Sequence, residues 1–182
     1  GGGSVAGRTN IGAGNPTLAV IGRDVWQFED RPGEAIHTKW YSIYTTEKEP
    51  LITDRLPGFM EASLAAYTSL ITPLPRPGER LEVFVMGSRA QWQRLTLYML
   101  GERGKSITWI ERGGFASGGR AYLFDIGATD TMSIASHEGW HQFTQCSFAE
   151  RLPTWLEEGI ASYFEGHRWA GGDVTFLPWA NL

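Results

Sequence analysis

The stretch Ser136–Gln142 has the sequence SHEGWHQ and contains the pattern H-E-x-x-H. On a helix, residues four positions apart lie one above the other on the same face. His137 and His141 can therefore direct two imidazole nitrogens at one cation, with bond lengths of about 2.0–2.1 Å for zinc. Glu138 lies roughly 100° further round the helix, where it can act as a general base toward a water molecule. The alternative interpretation is an exposed helix that carries two solvated histidines.

A second stretch, Leu152–Glu165, has the sequence LPTWLEEGIASYFE and predicts another helix. Pro153 followed by Thr154 is typical of a helix start, and Thr154 with Glu157 fits the S/T-x-x-E capping box. This assignment gives Glu157 a structural role at the first turn. It leaves Glu158, one position further, free to face a metal ion.

Glu158 taken alone is better explained as a solvated acid near a helix N-terminus. Together with the histidines it becomes a candidate ligand, because catalytic zinc sites take three protein ligands, and two His with one Glu is a known set. The 17 positions from His141 to Glu158 allow the second helix to return antiparallel. Gly159 is expected to let the two helices approach closely. We therefore predict His137, His141 and Glu158 as metal ligands and Glu138 as the catalytic base.

The two motifs together resemble those of the gluzincin metallopeptidases, in which H-E-x-x-H is followed by a helix with the pattern W-L-x-E-G-x-A. The matching segments here are His137–His141 and Trp155–Ala161. The resemblance implies an α+β, zincin-like metallopeptidase fold, with a mixed sheet whose antiparallel edge strand packs on the H-E-x-x-H helix. A further helix then carries the third ligand. It also implies one Zn²⁺ per chain and hydrolysis of a peptide or protein substrate, with Glu138 moving the proton.

The chain departs from the best-known members of that family in two respects. Aminopeptidase relatives have Asn before the ligand Glu where this chain has Glu157, so exopeptidase specificity is not implied. The spacing between the motifs is shorter and is more similar to that of short bacterial peptidase-MA-like domains. Many gluzincins stabilise the oxyanion with a Tyr or His after the third ligand, and Tyr163 and His167 are the candidates here. The resemblance favours an extracytoplasmic or secreted location.

A different class of function is a zinc-stabilised binding or scaffold module that keeps the site without the activity. Structural zinc sites usually close the fourth position with a protein ligand, often Cys, and Cys146 is the one cysteine available. The presence of Glu138 argues against this module, because a purely structural site has no use for that carboxylate. A single cysteine also excludes an internal disulfide.

Composition indicates a single ordinary globular domain. The 182 residues are 42% hydrophobic and 20% charged, with a net charge of −4, so nucleic acid and anionic membranes are disfavoured as partners. No apolar run approaches the ~20 residues that span a bilayer. We expect residues 1–16 to be a flexible segment, with 1–4 a tag remnant, and 17–182 to form the catalytic domain. Because the chain ends soon after the third ligand, we expect a helical C-terminal part to be missing or to lie on a partner chain.

Local patterns predict the remaining elements. The predicted strands are 40–46, 81–86, 107–110 and 120–126, and the predicted helices are 58–72 and 89–100, the latter capped by Ser88. Residues 113–119 are glycine-rich but lack the G-K-[ST] ending of a phosphate loop, so a flexible turn is predicted. The resemblance to the zincins implies that the strand 120–126 is the cleft edge to which an extended peptide could add, and an ordinary sheet-edge strand fits the residues equally well. Asp130 or Thr131 is expected to cap the motif helix.

Overall fold

The computed structural model describes residues 19–170 and 172–177, so the predicted flexible segment 1–16 lies outside the described residues. The strands are β1 (Gly22–Phe28), β2 (Arg31–His37), β3 (Tyr41–Thr45), β4 (Leu81–Met86), β5 (Gly114–Ser117), β6 (Arg120–Phe124), β7 (His167–Ala170) and β8 (Asp173–Phe176). The helices are α1 (Pro50–Thr53), α2 (Leu56–Tyr67), α3 (Arg89–Leu100), α4 (Glu102–Lys105), α5 (Ala128–Ser147) and α6 (Thr154–Glu165).

A six-stranded sheet in the order β1-β2-β3-β4-β6-β5 forms the centre of the fold. Strands β3, β4 and β6 are parallel to one another, whereas β1, β2 and β5 pair antiparallel with their neighbours. Strands β7 and β8 form a separate antiparallel hairpin. The sheet is therefore mixed and the fold is α+β, as the sequence predicted.

Each face of the sheet buries its own apolar cluster. The larger cluster joins one sheet face to α2, α5 and α6 and includes Val83, Leu123, Phe143 and Phe164. The smaller cluster lies under α3, where Trp92 is fully buried and donates its indole N–H to the Tyr122 carbonyl at 3.0 Å. Among residues 19–170 and 172–177, no helix is both long and apolar enough to cross a bilayer.

Several predicted elements are confirmed with small changes of boundary. Strands β3, β4 and β6 lie within or at the predicted ranges, and α3 spans 89–100 as predicted. The Ser88 side chain caps α3 by accepting a hydrogen bond from the Gln91 N–H at 3.3 Å. Helix α2 begins two residues earlier than predicted and ends at Tyr67 rather than at residue 72.

The predicted strand 107–110 and the predicted flexible turn 113–119 are wrong. Residues 107–109 form a turn, and the carbonyls of Thr108 and Ile110 accept hydrogen bonds from Arg89 Nη2 at 3.4 and 3.2 Å. Within the glycine-rich stretch, residues 114–117 form β5, and only Gly118 and Gly119 form the turn. Both have positive φ, of 60° and 77°, which is the conformation that tight two-residue hairpin loops require.

The edge of the sheet next to α5 is β5, and not β6 as predicted. Strand β6 lies inside the sheet, between β4 and β5. The expected cap of α5 is also wrong: the helix begins after Gly127 without a side-chain cap, and the Thr131 hydroxyl instead accepts from the Ile126 N–H at 3.0 Å. Thr131, inside the first turn of α5, therefore binds the backbone that leads into the helix.

Two glutamines near the end of α5 attach the β5–β6 hairpin to the helix. The Gln142 side chain donates to the carbonyls of Glu82 and Gly119 at 2.7 and 3.0 Å. The Gln145 side chain donates to the Ala116 carbonyl at 3.3 Å and accepts from the Gly119 N–H at 3.0 Å. The motif helix and the edge strand are thus joined directly, which confirms the predicted packing of an antiparallel edge strand on this helix.

Close approach to the motif helix depends on Gly139 rather than on Gly159. A Cβ at Gly139 would lie 2.7 Å from the Tyr67 hydroxyl and 3.2 Å from Met60 Cε, whereas a Cβ at Gly159 meets nothing within 4 Å. Tyr67 is fully buried and donates to the Ser136 carbonyl at 2.5 Å, so its hydroxyl has no room to move. The prediction that Gly159 lets α5 and α6 approach is therefore wrong, and the close contact is between α5 and α2.

Alanine substitutions at these two glycines are expected to have opposite effects on stability. Gly139→Ala overpacks a filled core and should lower the free energy of unfolding by about 1–3 kcal/mol. Gly159→Ala adds a helix-favouring residue in open space and should raise it by about 0.4–1 kcal/mol. Denaturant unfolding of both variants measures the difference. Equal stability of the two variants would contradict the assigned contact between Gly139 and Tyr67.

Candidate metal centre

The two histidines of the motif lie on α5 and face α6. Side chains near the middle of α5 contact the end of α6, since His137 meets Glu165, whereas His141 meets Glu157 near the start of α6. The two helices are therefore antiparallel, as the spacing of the motifs predicted. This arrangement brings Glu158 opposite both histidines.

The structure brings the three predicted ligands together. The Nε2 atoms of His137 and His141 are 3.2 Å apart, and each lies 3.6 Å from a carboxylate oxygen of Glu158. For a tetrahedral zinc ion with bonds of about 2.0–2.1 Å, donor atoms are separated by about 3.3–3.4 Å. The separation of the two imidazole nitrogens is close to this value, and one ligand atom from each of the three side chains lies within 4.8 Å of the others.

The group is buried on one side and open on the other. The side chains of His137 and His141 are each 14% exposed, whereas that of Glu158 is 56% exposed. The two imidazoles lie within the protein, whereas the carboxylate faces solvent. Solvent can therefore reach the position between the three side chains. An accessible fourth position is the feature that separates catalytic from structural zinc sites.

Each imidazole is also contacted by a second carboxylate on its other nitrogen. Glu157 Oε1 lies 3.1 Å from His141 Nδ1, and Glu165 Oε1 lies 2.5 Å from His137 Nδ1, in a contact too bent to count as a hydrogen bond. The Thr144 hydroxyl donates to the same Glu157 oxygen at 2.6 Å. At His141, the Glu157 carboxylate keeps the proton on Nδ1 and leaves the Nε2 lone pair for a metal, which is the common arrangement of ligand histidines.

The capping role predicted for Glu157 is therefore wrong. Helix α6 begins after Pro153 with no side-chain cap, and Glu157 turns toward His141 instead. Sequence reasoning also missed Glu165, although a helical signal exists: it lies seven positions after Glu158, which is close to two full turns.

Glu138, the predicted base, does not belong to the ligand group. Burial raises the pKa of Glu138 to about 8, with the negative charge of Glu158 contributing further and the backbone N–H of Ala116 opposing the shift. Burial also lowers the pKa of His137, and the neighbouring His141 lowers it further. Neutral imidazole is the form that binds metals.

The other predicted candidates lie elsewhere. His167 packs its ring against Phe59 at 4.8 Å and places Nδ1 3.1 Å from the Glu165 carbonyl. Tyr163 packs beside Phe164. Cys146 does not join the ligand group in the described part of the chain, and its thiol instead lies 3.6 Å from the Gly119 carbonyl. The closing ligand considered for a structural site is therefore not Cys146.

A polar cavity of about 590 Å³ opens beside His141 and Glu158. Its wall includes the end of β5 and the loop between α5 and α6, with Ser117, Gln145, Phe148 and Arg151 among the lining residues. A substrate group that enters this cavity would lie next to the candidate metal centre.

Comparisons with known proteins found no matching family model, no matching curated protein and no matching solved structure. The class of the site is therefore defined by its own geometry. It is a centre of two imidazoles and one carboxylate with an accessible fourth position, in which a further carboxylate contacts each imidazole.

Replacing either supporting carboxylate by its amide should weaken metal binding without removing a ligand. We expect Glu157→Gln and Glu165→Gln each to lower zinc affinity about 10–100-fold, because the imidazole loses its charged partner. Competition with a chelating dye measures the affinity. Glu150→Gln provides the matched control, because Glu150 is exposed in the loop between α5 and α6. Affinity that is unchanged in all three variants would contradict the orienting role.

Proposed function

We propose that the protein is a zinc-dependent hydrolase that cleaves peptide bonds, with His137, His141 and Glu158 as the metal ligands. The observation that carries the proposal is the convergence of three side chains: the imidazole Nε2 atoms are 3.2 Å apart, and Glu158 places Oε2 3.6 Å from His137 Nε2 and Oε1 3.6 Å from His141 Nε2. The chemistry of the donors supports zinc, because two neutral imidazoles with one carboxylate form a known ligand set of catalytic zinc.

Each residue of the site has its own role in hydrolysis. Zinc, when bound, would supply Lewis acidity that lowers the pKa of water to about 7 and polarises a carbonyl group. Glu138 accepts the proton of the attacking water and delivers it to the departing amine. Glu157 and Glu165 hold the imidazole rings in orientation. The open side of Glu158 leaves room for the substrate.

A peptide is the substrate class that the surroundings of the site support best. Strand β5 is a sheet edge beside α5, and extended peptides bind such edges by main-chain hydrogen bonds. The Gln145 amide already donates to the Ala116 carbonyl on this edge at 3.3 Å. An extended substrate that pairs at Ala116 therefore has to displace the exposed side chain of Gln145 from the carbonyl, and it competes with the Glu138 carboxylate for the N–H.

The first test concerns the metal. Protein purified without added ions should contain about one zinc per chain by mass spectrometry, and Glu158→Ala should lose it or bind it much more weakly, because two ligands remain of three. Glu150→Ala is the matched control and should keep the metal. Absence of stoichiometric metal from the wild-type protein would contradict the proposal.

The second test separates the enzyme from a zinc-stabilised binding module. Glu138→Gln keeps all three ligands and should retain zinc, while hydrolysis of a peptide library should fall by about 10²–10⁴, since general base catalysis typically contributes that factor. Cleavage products are measured by mass spectrometry. Retained zinc with equal cleavage by the variant would contradict the role of Glu138, and a wild-type protein that binds zinc but cleaves no peptide would favour the binding module.

A further inference from the structure

Strand β1 lies at the opposite end of the sheet from the candidate metal centre. It has seven residues, pairs with β2 on one side, and has no strand partner on its outer side among residues 19–170 and 172–177. An edge of this length presents unpaired N–H and C=O groups that can pair with another strand.

The register of β1 defines which main-chain groups point outward. Phe28 and Arg31 close a two-residue turn, so they form a hydrogen-bonded pair, and such pairs alternate along an antiparallel ladder. The even-numbered residues of β1 therefore bond to β2. The N–H and C=O groups of Arg23, Val25 and Gln27 point away from the sheet.

The charged side chains of β1 do not block this edge. Proteins commonly block an exposed edge with charged side chains that would be buried by a partner strand. Here Arg23 is tied to Glu34 on β2 at 2.7 Å, and Asp24 accepts a hydrogen bond from His37 Nε2 at 3.0 Å. His37 in turn accepts from the Ser42 hydroxyl at 3.0 Å. Both charges are thus paired with side chains of β2.

An apolar side chain stands at the middle of the same edge. Val25 is 96% exposed and has no packing partner to explain a β-branched residue at this position. An antiparallel copy centred on Val25 would place Val25 opposite Val25 of the second copy, Arg23 opposite Gln27, and Asp24 opposite Trp26. No like charges oppose each other in this register, so directly opposed side chains do not repel, and the outward main-chain groups of the two copies match.

We propose that the outer edge of β1 is a self-association surface, through which two copies of the chain form a two-fold dimer with a continuous sheet. Each outward N–H and C=O of Arg23, Val25 and Gln27 finds a partner in this arrangement, and the interface is isologous. The candidate metal centres remain accessible at the far ends of the joined sheet. The dimer and the proposed hydrolase activity can therefore be tested separately.

Sedimentation velocity of the full chain tests the association. The mass should rise with concentration from the 20.2 kDa of one chain toward twice that value. Val25→Pro should remain at the mass of one chain at every concentration, because proline removes the outward N–H and costs no bond to β2. Val25→Thr keeps the N–H and the β-branched shape and should still associate. A wild-type protein that stays monomeric throughout would overturn the proposal.

Cysteine cross-linking tests the register and does not depend on the proline variant. In a Cys146→Ser background, Val25→Cys should form a disulfide-linked dimer on oxidation, since residues in a hydrogen-bonded antiparallel pair lie about 5.5 Å apart between Cα atoms. Gln27→Cys should not, because its two copies would lie roughly 14 Å apart along the strands. A mixture of Arg23→Cys and Gln27→Cys proteins should cross-link. Equal cross-linking of Val25→Cys and Gln27→Cys would overturn the register.

Discussion

The antiparallel packing of α5 against α6 is the constraint on which the candidate metal centre depends. Helix α5 supplies two imidazoles, and α6 supplies the third ligand, Glu158, together with Glu157 and Glu165, which contact those imidazoles. Because all three carboxylates belong to one helix, a slip of α6 by one turn, about 5.4 Å, would break every one of these contacts. The geometry of the site therefore depends on the packing of the two helices.

That packing is fixed by the side of the motif that faces away from the histidines. The Ser136 hydroxyl donates to the Phe164 carbonyl on α6 at 2.6 Å, and the Phe164 ring lies 4.7 Å from Tyr67 and 5.9 Å from Trp140. Gly139 makes room for Tyr67 in the same cluster. The two variable positions of H-E-x-x-H are thus core residues here. The face of the motif that carries the histidines lies at the candidate metal centre, and the opposite face packs in the core of the fold.

The sequence predicted those parts of the molecule that depend on local pattern. Helical spacing predicted that His137 and His141 share one face, the paired motifs predicted that Glu158 lies beside them, and runs of β-branched and aromatic residues predicted the central strands. The failures concern residues whose partners are distant in the chain. Glu157 fits a capping box locally, but His141 and Thr144 compete for it in the folded chain. The stretch 113–119 has the composition of a turn, yet pairing with β6 makes most of it a strand. A local sequence pattern does not reveal these partners, because they are distant in the chain.

Electrostatics provides an argument for a cation that is independent of any family resemblance. Four carboxylates, from Glu138, Glu157, Glu158 and Glu165, surround two imidazoles that bind metals in their neutral form. The raised pKa of Glu138 expresses this excess of negative charge together with burial. Between the ordinary value of 4.5 and about 8, the folded metal-free protein holds a proton on Glu138 that the unfolded chain releases, so stability falls as pH rises through this interval. A dication among these carboxylates would reverse the local field. The folded chain therefore carries an electrostatic cost that a divalent metal would relieve if it bound at the candidate centre.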